Sequence, residues 1–563
     1  MRGLRRRFAQ AIVLTSLGLM ATAVPARSAE EIIFTYGFFE RTVAISDLEA
    51  FANGEGLSRQ LSEYAATLEL TESELMTIET VLSQRADISE VDVSRFLYGT
   101  QGETLLDFIG EVIQTPTRQP GFYAIRGGLI LAAADDENGL TILNFLKKYP
   151  TPAIRIDLGK GLEIATTVTD KLGDSERAIA LVQALAQEAA LVGPISDLSS
   201  TRQLVYDLPN FAVVSEPLEL SPFRAVQATL FLPQPRHQGQ SLPADIPVIV
   251  ISHGLGDERE SYEYVATFLA SRGFAVATLD HPGSNSAKIA QVLAGLSPNI
   301  IDSQEFIARP IDVSALLDEI QRFASRDLRF RFRLDTQNVG LIGQSFGGYT
   351  ALALAGATYD SEALNAACAP QPIYLNPSLL LQCEAQNVAS NPPPLQDDRV
   401  KAIFVVNPVG SGIFGSSGFG QLQVPVMIMA ATGDTVAPAL PEQIEPFTWL
   451  QNEYRYLALV SGTTHFSVID WNSDAEASIP VPLALLGDRP DLAQDYLQTL
   501  SLAFFQRHLK QDLRYDIALT SQFAQDTVAR SPLMPLSLIR DLPPEMLEQA
   551  LNNEQFVGDT AEE

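Results

Sequence analysis

The stretch Gly343-Gln344-Ser345-Phe346-Gly347 decides the fold of this chain because of what lies on either side of it. The apolar residues 339–342 before it predict a buried strand, and the small residues 347–356 predict a helix directly after it. A serine at a tight strand-to-helix turn has its Oγ held above the sheet, and the flanking glycines let the two backbones pass closely. The pattern therefore predicts a nucleophile elbow with Ser345 as the nucleophile.

A serine nucleophile needs a histidine base, and the chain contains five histidines. Only His465 and His508 follow the serine, as the chain order serine, acid, histidine requires. His465 comes just after the strand-like residues 456–460, whereas His508 lies in a helical pattern and is interpreted as a surface residue. We therefore predict His465 as the catalytic base.

The acid is expected between the serine and the histidine, at the end of a strand. Residues 426–430 are typical of a buried parallel strand, and Asp434 follows at its carboxyl end, within reach of the far nitrogen of the imidazole. A turn aspartate beside Gly433 is the alternative interpretation. Asp470 is the second candidate, although it is very close in sequence to His465. We predict Asp434 as the acid.

An oxyanion hole is predicted upstream, where the buried strand of residues 247–251 runs into a glycine-containing loop. Glycine lets backbone N–H groups turn toward a site, and we expect the N–H groups of Leu255 and Phe346 to be the donors. His253 in this loop is interpreted as structural. His281, in the turn that closes the next strand, is interpreted as lying at the rim of the site.

The motifs at residues 252–256, 343–348 and 464–466 together resemble the α/β-hydrolase superfamily, and more narrowly the platelet-activating-factor acetylhydrolase group of phospholipases. The likeness covers residues 205–510. It implies an α/β fold with a mostly parallel sheet flanked by helices. It also implies a cofactor-free serine hydrolase that acts on an ester of a lipid or a small alcohol.

One position departs from that group, in which the acid follows the strand after the elbow helix. Here the corresponding strand, residues 402–406, ends in Asn407. An amide cannot carry the charge of a carboxylate, so the resemblance moves the acid to Asp434, the position used by dienelactone-hydrolase-like members.

Residues 30–200 are interpreted as an all-helical domain without catalytic motifs, and residues 511–563 as a C-terminal extension. A capping box at residues 71–74 marks one helix start. Residues 31–39 and 95–97 resemble the helical domain of unknown function that precedes the hydrolase in exported cyanobacterial esterase-like proteins. A cap packed on the hydrolase, a substrate gate and a partner-binding module stay open as its role, and its partner is unknown.

The N-terminus predicts export. Four arginines precede the apolar residues 11–23, and small-residue cleavage sites follow at Ala23 and Ala26, so residues 1–26 are interpreted as a signal peptide. The arginines also fit a twin-arginine signal loosely. An uncleaved membrane anchor is the alternative. The mature protein is expected in the periplasm or outside the cell.

Cys368 and Cys383 are the two cysteines of the chain, and in an exported protein they predict one disulfide. Neither has a ligand-spaced partner, so no metal site is predicted. They lie in an insertion, residues 359–397, that is either a lid or a structural excursion. Its apolar residues could line an acyl pocket: Ile373, Tyr374, Leu375, Leu379, Leu380 and Leu381.

The net charge of −30 becomes about −34 once the signal arginines are removed. Such an acidic surface disfavours nucleic acid and anionic lipid surfaces as partners. The expected partner is a small-molecule or lipid ester substrate. A peptidase or thioesterase with the same triad is one alternative, and a non-catalytic binding protein on a hydrolase fold is another.

Overall fold

A computed structural model of the protein describes residues 28–86, 88–192, 198–220, 224–294, 296–297, 299–369, 375–388, 392–470, 483–530 and 532–553. The predicted signal peptide, residues 1–26, lies outside the described residues, as do Ile373 and Tyr374 of the predicted pocket. The chain divides into two compact units between Thr166 and Thr167. This boundary is earlier than the one expected near residue 200.

The N-terminal unit contains a small sheet as well as helices, so the prediction of an all-helical domain is wrong. Its described strands pair in the order β2-β1-β4-β3. β1 and β2 form an antiparallel hairpin, whereas β4 returns from a distant part of the chain to pair in parallel with β1. Local periodicity does not report such long-range pairing. The strands are β1 Glu31–Tyr36, β2 Phe39–Ala44, β3 Ile113–Gln114 and β4 Ala153–Asp157.

Helices make up the rest of the regular secondary structure described in the N-terminal unit. The predicted capping box is present at the start of α3, where the Thr71 hydroxyl accepts from the Glu74 N–H and the Glu74 carboxylate accepts from the Thr71 N–H at 2.7 Å. The helices are α1 Ile45–Ala52, α2 Arg59–Thr67, α3 Glu72–Ser83, α4 Glu90–Leu97, α5 Thr100–Val112, α6 Phe122–Ala133 and α7 Ile142–Lys148, with α8 Leu158–Val192 crossing the unit boundary.

In the described part of the C-terminal unit, nine strands form one sheet in the order β13-β12-β11-β10-β9-β7-β8-β6-β5. The central strands, from β8 to β12 in this order, are parallel to their neighbours, and the outer pairings are antiparallel. The strands are β5 Ala212–Leu220, β6 Val226–Gln234, β7 Ile246–Ser252, β8 Ala275–Leu279, β9 Leu334–Gln344, β10 Val400–Val406, β11 Val426–Ala431, β12 Arg455–Val460 and β13 Leu536–Ile539.

Helices cover both faces of this sheet, and β7 has apolar neighbours on both sides. Val248 and Val250 pack into one buried cluster, whereas Ile249 and Ile251 pack into the other. This alternation is expected for a parallel strand at the centre of an α/β domain. Such a core holds the carboxyl ends of the parallel strands at one edge, where ligand sites of open α/β sheets lie.

Among the described residues, no helix is both long enough and apolar enough to cross a bilayer.

The remaining helices are α9 Leu198–Tyr206, α10 Glu263–Ala270, α11 Ser286–Leu293, α12 Glu305–Arg326, α13 Phe346–Leu354, α14 Ser361–Ala367, α15 Leu379–Gln382, α16 Ser411–Phe419, α17 Glu445–Trp449, α18 Leu483–Leu486, α19 Pro490–His508, α20 Ser521–Arg530 and α21 Pro544–Leu551.

The C-terminal segment is part of the fold and is not merely an extension. Strand β13 pairs antiparallel with β12, from Leu457 opposite Ile539 to Val460 opposite Leu536. Leu538 is fully buried in the core. The strand is only four residues long, which is too short for its apolar pattern to distinguish it from a turn.

The insertion at residues 359–397 packs on the catalytic unit. A disulfide joins Cys368 to Cys383. Leu381 is buried in the main core cluster. Nearby, Glu442 is 1% exposed, and its carboxylate accepts hydrogen bonds from the side chains of a group on the insertion and on α16: Asn376, Ser378, Gln382 and Ser411. These contacts fix the second half of the insertion to the segment Leu440–Ile444, which follows β11.

Candidate active site

Ser345 is the single residue between β9 and α13, and its backbone has a conformation that serine rarely adopts. Its φ is +53°. This left-handed conformation is held by a hydrogen bond from the Ser345 N–H to the Val406 carbonyl at 2.9 Å and by one from the Gly348 N–H to the Ser345 carbonyl at 2.8 Å. Strain of this kind persists where the surroundings fix it, and the sharp turn presents the serine side chain at the end of the strand.

Gly347 is required at the elbow because the end of β7 lies against it. A Cβ atom at this position would come within 1.9 Å of the Ser252 carbonyl oxygen. In the loop after β7, a Cβ atom at Gly254 would lie 2.3 Å from Gln344 Oε1 and 3.3 Å from Ser345 Cβ. The loop after β7 therefore lies directly beside Ser345, as the sequence pattern predicted.

His465 and Asp434 meet at the carboxyl ends of β12 and β11. The His465 Nδ1–H donates to Asp434 Oδ2 at 2.7 Å. The other oxygen, Oδ1, accepts from the N–H groups of Val436 and Ala437 at 2.8 and 2.7 Å. Because a carboxylate only accepts, the proton lies on Nδ1, and Nε2 is left as an acceptor. The imidazole is thus in the tautomer that a general base needs.

The loop that carries His465 is tied to the elbow through its backbone. Gln344, the residue before the serine, donates from Nε2 to the His465 carbonyl at 3.0 Å. Asn407 donates from Nδ2 to the same carbonyl and to that of Thr464, both at 3.4 Å, and its Oδ1 accepts from the Ala431 N–H at 2.9 Å. Asn407 therefore holds the histidine loop through an N–H donor that a carboxylate lacks, and the carboxylate on the imidazole is that of Asp434.

The two expected oxyanion donors lie on the two segments next to Ser345. Within the described chain, the N–H groups of Leu255 and Phe346 donate to no protein acceptor. Leu255 follows the loop beside Ser345, and Phe346 is the first residue of α13. The N-terminus of that helix would also favour a negative charge at this position. Both donors are available to a ligand at the serine.

Arg309 is a residue of this site that the sequence pattern did not single out. It lies on α12, is fully buried, and donates from Nη2 to the His253 carbonyl. Its guanidinium carbon lies 4.4 Å from the centroid of the Phe346 ring. Burial lowers the pKa of the guanidinium to about 9. Arg309 thus contacts the loop after β7 through a backbone carbonyl and Phe346 through its ring.

His253 and His281 belong to a buried hydrogen-bonded network. His253 Nδ1 donates to the Gly254 carbonyl at 2.6 Å, and Nε2 accepts from the His281 N–H at 3.0 Å. His281 Nε2 accepts from the Ser252 hydroxyl at 3.0 Å, and Nδ1 donates to Asp312 at 2.9 Å. Burial holds the pKa of both histidines well below its usual value. His253 is structural as expected, and His281 is fully buried instead of lying at the rim.

His508 also differs from its interpretation as a surface residue. It is half-buried, its Nε2 lies 3.2 Å from the Tyr456 hydroxyl, and its ring centroid is 4.8 Å from that of Phe504. Burial lowers the pKa of His508 to about 3. The aromatic partners come from β12 and from the same helix, and their approach is not visible in the periodicity of α19.

A cavity of about 510 Å³ adjoins the insertion. Leu375 and Leu379, two of the apolar residues expected to line a pocket, form part of its wall together with Trp449. The loop after β10 leads to it, because the Val409 N–H donates to the Ser345 carbonyl at 3.3 Å and Ser411 already lines the cavity. Within the described ranges, no group of three or more histidine, cysteine or carboxylate side chains could hold a metal ion.

Comparison with known proteins agrees with the fold. Residues 248–527 match the model of an alpha/beta hydrolase family, and residues 28–157 match a family described as an alpha/beta hydrolase of unknown function. Among curated proteins, the 20-hydroxy-prefusarin hydrolase of Gibberella moniliformis is 31% identical over 124 residues, which cover 22% of this chain and 26% of that protein. The chain thus matches about a quarter of that relative. The C-terminal unit has the alpha/beta hydrolase fold, and both family models that match this chain describe alpha/beta hydrolases.

Proposed function

We propose that the protein is a serine hydrolase that cleaves carboxylic esters through an acyl-enzyme on Ser345. The observation that carries this proposal is the 2.7 Å hydrogen bond between His465 and Asp434, in a loop bonded to the residue next to Ser345. It leaves Nε2 as an acceptor on an imidazole whose loop is bonded to Gln344, the residue before the strained elbow serine. That combination serves covalent acyl transfer and has no evident structural purpose.

In the first half of the reaction, His465 Nε2 takes the proton of Ser345 as Oγ forms a bond to the ester carbonyl carbon. The N–H groups of Leu255 and Phe346 donate to the oxyanion that forms. The imidazolium, stabilised by Asp434, then gives its proton to the alcohol oxygen as the carbon–oxygen bond breaks. In the second half, water attacks the acyl-enzyme, His465 accepts its proton and returns it to Ser345, and the carboxylic acid leaves.

The proposed substrates are esters of lipids or small alcohols with short to medium acyl chains. The apolar cavity beside the insertion supports this class, since Leu375, Leu379 and Trp449 offer a wall for an acyl chain. The loop after β10 connects this cavity to the elbow, because it is bonded to the Ser345 carbonyl and leads to Ser411 in the cavity wall. Each methylene held there contributes about 0.8 kcal/mol, or about fourfold in kcat/KM. We expect kcat/KM for p-nitrophenyl esters to rise with acyl length until the cavity is full and then to fall.

A fluorophosphonate probe tests the nucleophile directly. It should label the wild-type protein, spare Ser345→Ala, and still label Ser361→Ala, in which an exposed serine at the start of α14 is changed as the matched control. Absence of labelling on the folded wild type would favour the non-catalytic binding protein. A peptide amide cleaved faster than every ester in the series would replace the esterase by the peptidase, and a faster thioester would replace it by the thioesterase.

We also propose that the protein is exported and acts outside the cytoplasm. The disulfide between Cys368 and Cys383 supports this, because such bonds persist in oxidising compartments. N-terminal sequencing of the exported protein should give a first residue between positions 24 and 30. Mature protein that stays in the cytoplasm with two free thiols would contradict the proposal.

A further inference from the structure

The N-terminal unit contains a cavity that the proposed chemistry does not use. Its volume is about 770 Å³, within the range of small-molecule sites. Apolar side chains from β1, α1, α2 and α3 form most of the wall, including Phe34, Phe51, Leu61, Ala65 and Leu75. A wall of this kind offers water few hydrogen-bond partners, so an aliphatic ligand suits the space better than solvent.

Arg41 brings a positive charge to this apolar wall. In the hairpin, Arg41 lies directly opposite Phe34, and Val43 is two residues further along the same strand. Because side chains alternate along a strand, Arg41 and Val43 are on one face, and both line the cavity with Phe34. Arg41 is an exposed residue, whereas Val43 on the same face is buried, so the cation lies at the solvent-facing mouth of the cavity.

The neighbouring charges are already paired. Glu63, the other charged residue of the wall, forms an ion pair with Arg59 at 3.1 Å. Glu40, next to Arg41 in sequence, is bound by Arg118 and by Arg155. Within the described residues Arg41 itself forms no ion pair, and its Nη1 donates only to the Glu40 carbonyl at 3.1 Å. Its charge is therefore available to an anion.

We propose that this cavity binds a long-chain fatty acid, with the aliphatic chain against the apolar wall and the carboxylate on Arg41. The chain as a whole carries a net charge of −30, which repels anions, so a local cation is needed to hold a carboxylate. This choice of ligand rests on the apolar wall and on the charge of Arg41 at the mouth of the cavity. It does not depend on the chemistry proposed for Ser345.

Binding to the full-length Ser345→Ala protein tests this proposal without turnover. Affinity should rise about fourfold for each added methylene between decanoate and palmitate, until the cavity is filled. Palmitate should bind more tightly than hexadecanol, which has the same chain without the charge. An affinity that does not change with chain length would overturn the cavity as the site, and equal binding of palmitate and hexadecanol would overturn the role of Arg41.

Variants locate the site. Arg41→Glu should weaken palmitate about three- to tenfold and leave hexadecanol unchanged, whereas Arg85→Glu, an exposed arginine of the same unit outside the cavity, should change neither. Ala65→Phe fills the space and should abolish binding of both ligands. If Ala65→Phe lowers the melting temperature, Leu68→Asp replaces it as the test variant and should abolish binding of both ligands. Leu68 is exposed at the wall, so the free protein tolerates a charge there.

The catalytic unit could bind a fatty acid as well, so the two sites must be separated. Wild-type protein with Ser345 blocked by fluorophosphonate should bind palmitate as tightly as the free enzyme. Loss of palmitate binding on blocking, or full binding by both Ala65→Phe and Leu68→Asp, would assign the ligand to the catalytic unit and overturn the proposal. If Ser345 is not labelled, the esterase proposal fails, and the Arg41 and Ala65 variants still test this one.

Discussion

Replacing Asp434 by asparagine is the sharpest test of the site because the structure fixes how the amide must lie. The N–H groups of Val436 and Ala437 both donate to Asp434 Oδ1 at 2.8 and 2.7 Å. The oxygen of an asparagine must take that place, since the reverse orientation would set its NH₂ against two buried donors. The NH₂ therefore faces His465 Nδ1, where the carboxylate oxygen accepts in the wild type.

An amide donor at Nδ1 forces the imidazole into the other tautomer. Nδ1 then accepts, the proton moves to Nε2, and the base can no longer take the proton of Ser345. The imidazolium also loses its counter-charge. Together these effects should lower kcat by about 10⁴-fold, or about 5.5 kcal/mol of transition-state stabilisation, with KM little changed.

The assay is kcat on a short p-nitrophenyl ester, with the melting temperature as a check on folding. Asp470→Asn is the matched control, because it makes the same change in the second candidate acid, whose N–H donates to the Ser261 carbonyl. Asn407→Ala should also retain most activity. If Asp434→Asn kept a tenth of the wild-type rate while either control lost more, the assignment of the acid would be refuted.

Three further predictions concern a buried arginine, a buried carboxylate and the disulfide. Arg309→Met should lower kcat about 10- to 100-fold at similar KM, since it removes a charged hydrogen bond to the loop of the oxyanion donors; a stability loss with unchanged kcat would make the residue merely structural. Burial raises the pKa of Asp257 from 3.8 to about 6, so its stabilising effect is full below pH 4 and is lost as the pH rises through 6. Urea unfolding of Asp257→Asn should therefore lack about 2.4 kcal/mol of the fall that the wild type shows between pH 4 and pH 7, and parallel curves would contradict this. Replacing both Cys368 and Cys383 by serine opens a loop of sequence separation 15, which should lower the free energy of unfolding by about 3 kcal/mol, and reductant should shift the melting temperature of the wild type alone.

The elbow and the sheet around it could be predicted from the sequence because their signals are local. An apolar run, a serine between glycines and a small-residue helix lie side by side at residues 339–356. His465 and Asp434 followed from chain order and from the strands before them. The structure brings these two side chains together at 2.7 Å, although they are 31 residues apart.

The parts that the sequence did not predict depend on contacts between distant residues. Strand β4 pairs with β1 from the far end of the N-terminal unit, and β13 is a four-residue strand that joins the sheet from beyond α19. Arg309 lies on α12 among apolar residues of the buried face, where a single arginine gives no sign of what it contacts. Its contact with the His253 carbonyl depends on where α12 crosses the loop after β7. No local pattern carries that information.

Asn407 shows why the location of the acid and the identity of this residue are linked. It follows β10, at the place where the acetylhydrolase group carries its acid. Its amide donates to the Thr464 and His465 carbonyls and accepts from the Ala431 N–H, so it uses both a donor and an acceptor. An ionised carboxylate could keep only the accepted bond and would lie against two carbonyl oxygens. With the proposed acid, Asp434, on the loop after β11, the position after β10 is free to hold the histidine loop, and an amide is the side chain of this shape that supplies both groups.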